Sequence, residues 1–413
     1  MKNWMSLTIS LLFMASASAA PDLDNVYEEG LYYDYQAAIL GISKKSINTN
    51  SGLTQKDQGL FVDALWDLTE VGNPHALKAL GQMNTFHYSL TEKLRLGILG
   101  LKHNRTQALP ADLVAELNNT LLNPIAETKL LYVIAAHKED LLNAGHGDVI
   151  TNARNHSQFF DVADNNISET DLTQNVVADL FYNSPNLSTY REGKYEEGIK
   201  LFMFCRTNRL YPCLMAMQDA QGETLRNSDG TLWTHPALGL SARGLPSHVR
   251  NGNTPAGIYT IDSVMPAADQ RITFGRNRRM ILNFIPKSDN ENQIKSLLPE
   301  SSHEEKWWMT SVVARDVGRN LLRIHGTGKL NQNPDSTFYP FMRTSGCVGQ
   351  RENTYDGVTY RDQRILLDEI MKAMKVTPQF ENETLIKGIL YVIDIDDQTG
   401  AVEDRDLAYM GIE

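Results

Sequence analysis

The sequence predicts an α+β protein in two parts, an N-terminal all-helical domain followed by a β-rich domain. Three observations predict it. Apolar residues recur at helical spacing through the first half, with starts at Asn73-Pro74 and Asn123-Pro124. From Tyr211 the pattern changes to short apolar runs separated by turn residues. The 413 residues, 42% hydrophobic and 22% charged, suit a globular chain too long for one typical domain. The divisions are 1–19 as a leader, 20–206 as the helical domain and 207–413 as the β-rich domain.

The leader comes first. Lys2 supplies a positive start, Met5 to Met14 an apolar run, and Ala17-Ser18-Ala19 a small-x-small cleavage site. The apolar run is too short to span a bilayer. A signal of this kind implies export to an oxidising compartment, the periplasm, with no transmembrane segment after its removal.

In the helical part, Asp24 to Ile42 places Val26, Leu31, Tyr35, Ala38 and Ile39 near helical spacing, and Leu53 to Val71 repeats the pattern. Asn73-Pro74 offers a cap followed by a proline at the first helical position. Tyr88 to His103, Ala111 to Leu122 and Ile125 to Ala144 continue the series, and short helices on such turns predict a stacked helical array. Residues 145–187 are polar and read as a long loop with short helices. Tyr190 to Arg206 reads as a last helix.

In the β-rich part, Cys213 to Met217, Gly257 to Val264, Arg279 to Ile285, Leu321 to His325 and Gly388 to Asp394 are the strands. Asp219 to Asp229 is turn-rich. Glu304 to Arg319 and Tyr360 to Lys375 are helices.

Charge separates the halves. The formal net charge of −11 falls mostly on residues 21–200, with 24 Asp/Glu against 14 Lys/Arg; residues 201–413 are near neutral. The first half therefore presents a solvated acidic surface, available to a protein partner. No basic stripe is present and the pI of about 5.4 is low, which argues against nucleic acid. No HExxH or Cys-x-x-Cys motif calls for a metal, and no cofactor motif is seen. Three cysteines in an exported chain imply one bond and one free thiol. Cys205 and Cys213 flank a segment, Arg206 to Pro212, that can turn back on itself, which leaves Cys347.

A free thiol is a strong nucleophile only beside a base or a positive field. Asn320 to Ile324 is a short apolar strand that delivers His325 at its end, before Gly326. Cys347 follows 22 residues later, behind Gly346, in a Thr/Ser/Gly turn. On spacing alone, a structural His and a buried Cys remain the commoner alternative.

The wording of this stretch resembles the signature of the L,D-transpeptidases of the YkuD type: a His-Gly pair at a strand end, a spacer, then Ser/Thr-His-Gly-Cys. His325-Gly326 is similar to the first half, and Thr344, Gly346 and Cys347 to the second. Thr254-Pro255-Ala256-Gly257 resembles the family's Thr-Pro-x-Gly strand entry. The three landmarks fall in order over about 95 residues. Ser345 stands where the family has a second His, and Gly349 where it has an Arg, with Arg351 two residues on. The resemblance covers roughly residues 208–397.

It implies a YkuD-like catalytic domain, a β-sandwich with Cys347 as nucleophile and His325 as base in its cleft, acting on peptidoglycan stem peptides. Backbone N–H groups around Ser345 and Gly346 would stabilise an oxyanion. Arg351, Arg343 and Thr344 are candidate substrate contacts, with Arg243 and Arg250 as further carboxylate binders. Cross-linking, trimming by an L,D-carboxypeptidase and non-catalytic wall or partner binding all remain compatible with these residues.

Overall fold

The computed structural model describes residues 62, 88–103, 106–123, 128–156, 172, 174–188, 190–242, 247, 251–286, 288–289, 291–305, 307–316 and 319–413. The leader, the helix expected over 24–42 and the start at Asn73-Pro74 lie outside them, as does all but Val62 of the helix expected over 53–71. Arg243, Arg250 and His248 also lie outside.

Five helices follow one another between residues 90 and 154: α1 (Leu90–Lys102), α2 (Ala111–Leu121), α3 (Thr128–Ala136), α4 (Lys138–Asn143) and α5 (Gly147–Arg154). Ser89 starts α1, its hydroxyl accepting the Glu92 N–H at 3.3 Å. Leu113, Leu117 and Leu121 recur every four residues on α2 and form one buried stripe. That stripe joins Leu94, Ile98 and Leu99 of α1, Leu130 and Ile134 of α3, and Val149 and Ile150 of α5 in a single apolar cluster. Each such leucine contributes about 1.5–3 kcal/mol by leaving water. The single helix expected over Ile125 to Ala144 is divided at His137, which sits at φ −117° and ψ 27°.

Eight strands form one mixed sheet: β1 (Ile199–Arg206), β2 (Cys213–Gln218), β3 (Thr234–Ala237), β4 (Gly257–Val264), β5 (Met280–Phe284), β6 (Leu322–His325), β7 (Val348–Gly349) and β10 (Lys387–Asp396). Their order is β3-β2-β1-β10-β4-β5-β6-β7, and β8 (Glu352–Tyr355) with β9 (Val358–Arg361) makes a separate ribbon. The sheet's two edges meet: just beyond β3, Leu238 donates to the Gly349 carbonyl at 3.0 Å and accepts from its N–H at 2.8 Å. The architecture is therefore one continuous curled sheet, where the sequence resemblance pointed to a sandwich of stacked sheets.

The helix expected over Tyr190 to Arg206 is corrected. Tyr190–Gly193 is a short 3-10 turn and Ile199–Arg206 is β1, paired in parallel with β10 and antiparallel with β2. All eight β1 residues are buried, so no polar alternation marks them as a strand. The boundary drawn after residue 206 thus falls at the end of a strand of the sheet.

Alternate residues of β1 enter two cores. Ile199, Leu201, Met203 and Cys205 face Leu366, Leu367, Ile370 and Met371 of a helix over Asp362–Ala373. Phe202 and Phe204 face the other way, with Phe202 stacked on Tyr391 at 4.8 Å and packed with Trp307 and Trp308. The tryptophans are thus core residues. Both faces of β1, β2, β4 and β10 are covered, and function is left to the outer strands, the strand ends and the loops. Among the described residues no helix is long and apolar enough to cross a membrane.

Candidate active site

Three strands build the site. Parallel pairing of β6 and β7 sets Ile324 beside Val348 and His325 beside Gly349. One step back along both strands, Cys347 lies beside Arg323. Antiparallel pairing of β5 and β6 sets Ile281 beside Arg323 and Met280 beside Ile324. Leu322, Ile324, Met280 and Val348 all enter the core shared with β1. Strand alternation therefore turns Arg323 and His325 to the opposite face. Cys347 immediately precedes β7, and its sulfur lies against the Leu321 carbonyl at the start of the strand that ends in His325.

The turn that carries Cys347 is held from within. The Thr344 hydroxyl donates to the Cys347 carbonyl at 2.6 Å and accepts the Gly346 N–H at 3.1 Å. Gly346 has φ +95°, and a Cβ there would lie 2.1 Å from the Gly252 carbonyl oxygen, so only glycine fits. The Gly346 carbonyl accepts from Thr254 Oγ1 at 3.1 Å, which docks the Thr-Pro-x-Gly landmark on the Cys347 turn. Arg209 in turn donates to the Thr254 carbonyl at 3.2 Å and pairs with Asp394 of β10 at 2.5 Å.

Arg319 was not among the residues singled out from the sequence. Its buried guanidinium donates to the carbonyls of Gly252 at 2.7 Å, Asn253 at 2.6 Å and Gly346 at 3.1 Å, and also to Ser247. Burial holds it below the usual arginine range, at about 10, offset in part by the Tyr259 and Cys347 charges. A cation in this setting favours a thiolate next to it. Only its position just before the β6 run signals it in the sequence.

The Cys347 thiol is partly exposed and donates to the Leu321 carbonyl at 3.9 Å. Burial pushes the thiol up, against the lowering pull of the Arg323 backbone N–H and of the Arg319, Arg323 and Arg279 charges. Leu321 is 66% exposed at φ +60°, a conformation that costs a branched residue about 1–2 kcal/mol. That turn aims its carbonyl at the sulfur.

His325 is buried, with Nδ1 2.5 Å from the Gly326 carbonyl, so Nδ1 carries the proton and Nε2 the free lone pair. Burial lowers it to about 4, assisted by Arg279 and Arg323 and opposed by the Gly326 carbonyl. Phe274 packs edge-on against the ring at 5.0 Å. A second residue missed from sequence supports this corner. The buried Glu352 carboxylate accepts the Arg276 N–H and the Asn277 amide, both at 2.9 Å. It fills the space a Cβ on Gly326 would need, 2.3 Å away, which explains the glycine after His325.

Among the described residues no hydrogen bond joins the imidazole to the sulfur, and both rest neutral. The arrangement offers a neutral base, a thiol and a cationic surround at the ends of neighbouring strands. Such a trio can carry general-base-assisted attack on a carbonyl.

The remaining sequence candidates are placed as follows. Ser345 is exposed at the rim of the turn. Thr344 serves the turn itself rather than facing outward. Arg351 is engaged internally, paired with Asp362 at 2.5 Å and lying over the Tyr360 ring at 4.4 Å, so it does not present a free fork to a ligand. Arg343 lies over Phe338 at 5.6 Å. Gly349 is tied in both directions to Leu238, and a Cβ there would press the Met342 carbonyl at 3.3 Å. The seam of the curled sheet thus occupies the place where the resembling family has its Arg.

Cys205 and Cys213 are bonded across β1 and β2, with Cα atoms 4.4 Å apart. His235 is buried against Gln350 at 2.6 Å, and His303 bonds the Lys295 and Leu298 carbonyls. Among the described residues no cluster of three or more His, Cys, Asp or Glu is placed to hold a metal.

Comparison with protein-family models, with curated proteins and with solved structures gives no match.

Proposed function

We propose that the protein is an exported L,D-transpeptidase that cross-links peptidoglycan stem peptides through Cys347. One observation carries the reading: the β6–β7 pairing brings the turn of Cys347 beside the strand that ends in His325, while Thr254 bonds the Gly346 carbonyl. The three motif landmarks are thereby neighbours in space, as their proposed joint role requires.

In the proposed reaction His325 Nε2 takes the thiol proton as sulfur attacks the carbonyl of a donor stem. The tetrahedral oxyanion is met by backbone N–H groups of the 345–347 turn and by the surrounding arginine field. Collapse breaks the C–N bond, the imidazolium returns its proton to the leaving amine, and a thioester remains. The amine of a second stem then attacks the thioester and loses its proton to His325; collapse forms the new amide and expels the sulfur, which takes that proton back from the imidazolium. With water as acceptor the same steps release a shortened stem, the carboxypeptidase outcome.

The unbridged, neutral thiol and imidazole favour a second reading, a wall-binding protein without turnover. Purified protein incubated with muropeptides, followed by chromatography and mass spectrometry, tests all three. New dimers are expected. Shortened monomers alone move the assignment to hydrolysis, and an unchanged mixture overturns the enzymatic reading.

A further inference from the structure

The arginines of the β-rich half mostly hold carboxylates. Arg206 pairs with Asp396 and Asp406, Arg279 with Asp269, Arg351 with Asp362, and Arg364 with Asp368 and Glu383. Arg323 differs. Its hydrogen bond goes from Nη1 to the neighbouring Leu322 carbonyl at 2.6 Å, and no ion pair engages it among the described residues. Its side chain is half-buried, on the face of β6 that carries His325, and the register sets it beside Cys347. Arg279 immediately precedes β5, whose Ile281 pairs with Arg323, and Arg319 donates to the Gly346 carbonyl next to Cys347. Arg279 already holds Asp269 and Arg319 holds backbone carbonyls, which leaves Arg323 as the cation beside the thiol with no ion pair among the described residues.

We infer that Arg323 is the specificity-determining residue of a carboxylate subsite beside Cys347, and that the substrate carries a free carboxylate close to the carbonyl under attack. This deepens the transpeptidase reading and rests on it for the substrate. Arg323 takes the place that Arg351 and Arg343 were expected to fill. The fork reaches a carboxylate with two parallel N–H donors while its backbone N–H supports the sulfur. The subsite acts against the chain's own net charge of −11, so any preference for an anion arises locally.

The test compares two alkylating reagents on the full chain. Iodoacetamide is neutral, and iodoacetate carries a carboxylate one carbon from the reacting centre. In both the Cys347 sulfur forms the new S–C bond, iodide leaves with the electron pair, and the thiol proton passes to solvent. The ratio of the two rates cancels any change in thiol acidity and reports the carboxylate alone. Arg323→Gln is expected to lower the iodoacetate-to-iodoacetamide ratio about tenfold and Arg323→Lys to retain most of it. An unchanged ratio in folded Arg323→Gln overturns the subsite. If that variant does not fold, wild type decides: raising salt from 0.05 to 0.5 M should depress the iodoacetate rate selectively, and a salt-independent ratio overturns the inference. The reagents ask nothing of peptidoglycan. A lost ratio in a protein that turns over no muropeptide keeps the subsite and removes the transpeptidase reading. An unchanged ratio in an active transpeptidase does the reverse.

Discussion

The Arg319 guanidinium donates to the Gly346 carbonyl at 3.1 Å, so a buried cation grips the turn that presents Cys347. The same group holds Gly252 and Asn253, the residues leading into the Thr254 landmark. Removing it leaves several buried carbonyls without donors. Arg319→Met is expected to destabilise the protein by about 2–5 kcal/mol in denaturant unfolding. It should also shift the pH profile of Cys347 alkylation by iodoacetamide to higher pH, because a lowering charge is lost. Arg319→Lys should restore most of the profile while recovering less of the stability, since an ammonium cannot reach as many carbonyls. A profile unmoved in Arg319→Met would assign the residue to packing alone.

His325 links stability to pH. Its folded value of about 4 lies below the ordinary imidazole value of 6.5, so between those values the unfolded chain binds the extra proton. Stability from this group is complete above about pH 6.5 and is lost as pH falls towards 4, by about 3 kcal/mol. His325→Gln, which cannot titrate, should flatten that part of the stability curve. Chemical denaturation at pH 7 and pH 4.5 gives the difference. An equal slope in both proteins would show that the imidazole is not held neutral. Turnover should follow the same group, with its acid limb near pH 4 rather than 6.5.

The legible part of this structure is the part whose pattern is local. β4 was readable to the residue because a Gly entry and a run rich in Ile, Tyr, Thr and Val mark Gly257–Val264. β6 was readable because its apolar run ends in His-Gly. β1 was not, because both its faces are buried and its continuous apolar run mimics a buried helix. β7 escaped because it is a two-residue strand defined by partners at Ile324 and Leu238, distant in sequence. The same limit applies to the site. Cys347 and His325 stand out by residue type and glycine neighbours. Arg319, Arg323 and Glu352 acquire their roles only when strand register and loop carbonyls surround them, and one arginine looks like another until its partner is known. Arg351 was singled out for proximity in sequence to Cys347, but Asp362 occupies it.

The thiols differ in state. Cys205 and Cys213 close a loop of sequence separation 8, and Cys347 is free. Alkylation without reductant followed by peptide mapping should label Cys347 alone. Replacing Cys205 and Cys213 together by Ala should cost about 2–3 kcal/mol for so short a loop. The loss should appear in unfolding, with the Cys347 labelling rate in native buffer kept within about twofold, since both sulfurs belong to the core shared with β2 rather than to the site face. Stoichiometric labelling of Cys205 or Cys213 in unreduced protein would contradict the pairing.

The catalytic pair gives the sharpest test. Cys347→Ala should abolish turnover, because every proposed step passes through that sulfur. His325→Ala keeps the thiol and removes its base, which should slow acylation by roughly 10²–10⁴-fold. The arginine field around Cys347 survives that change, so the residual rate should climb as pH rises and hydroxide replaces the imidazole. A carbapenem, the acylating probe implied by the resemblance to L,D-transpeptidases, should add its mass to wild type and not to Cys347→Ala. His325→Ala should take up the same mass more slowly. If Cys347→Ala acquires the adduct or retains activity, the nucleophile lies elsewhere. If His325→Ala is acylated as fast as wild type at neutral pH, the neutral imidazole is a structural neighbour of the thiol, and the arginines alone activate it.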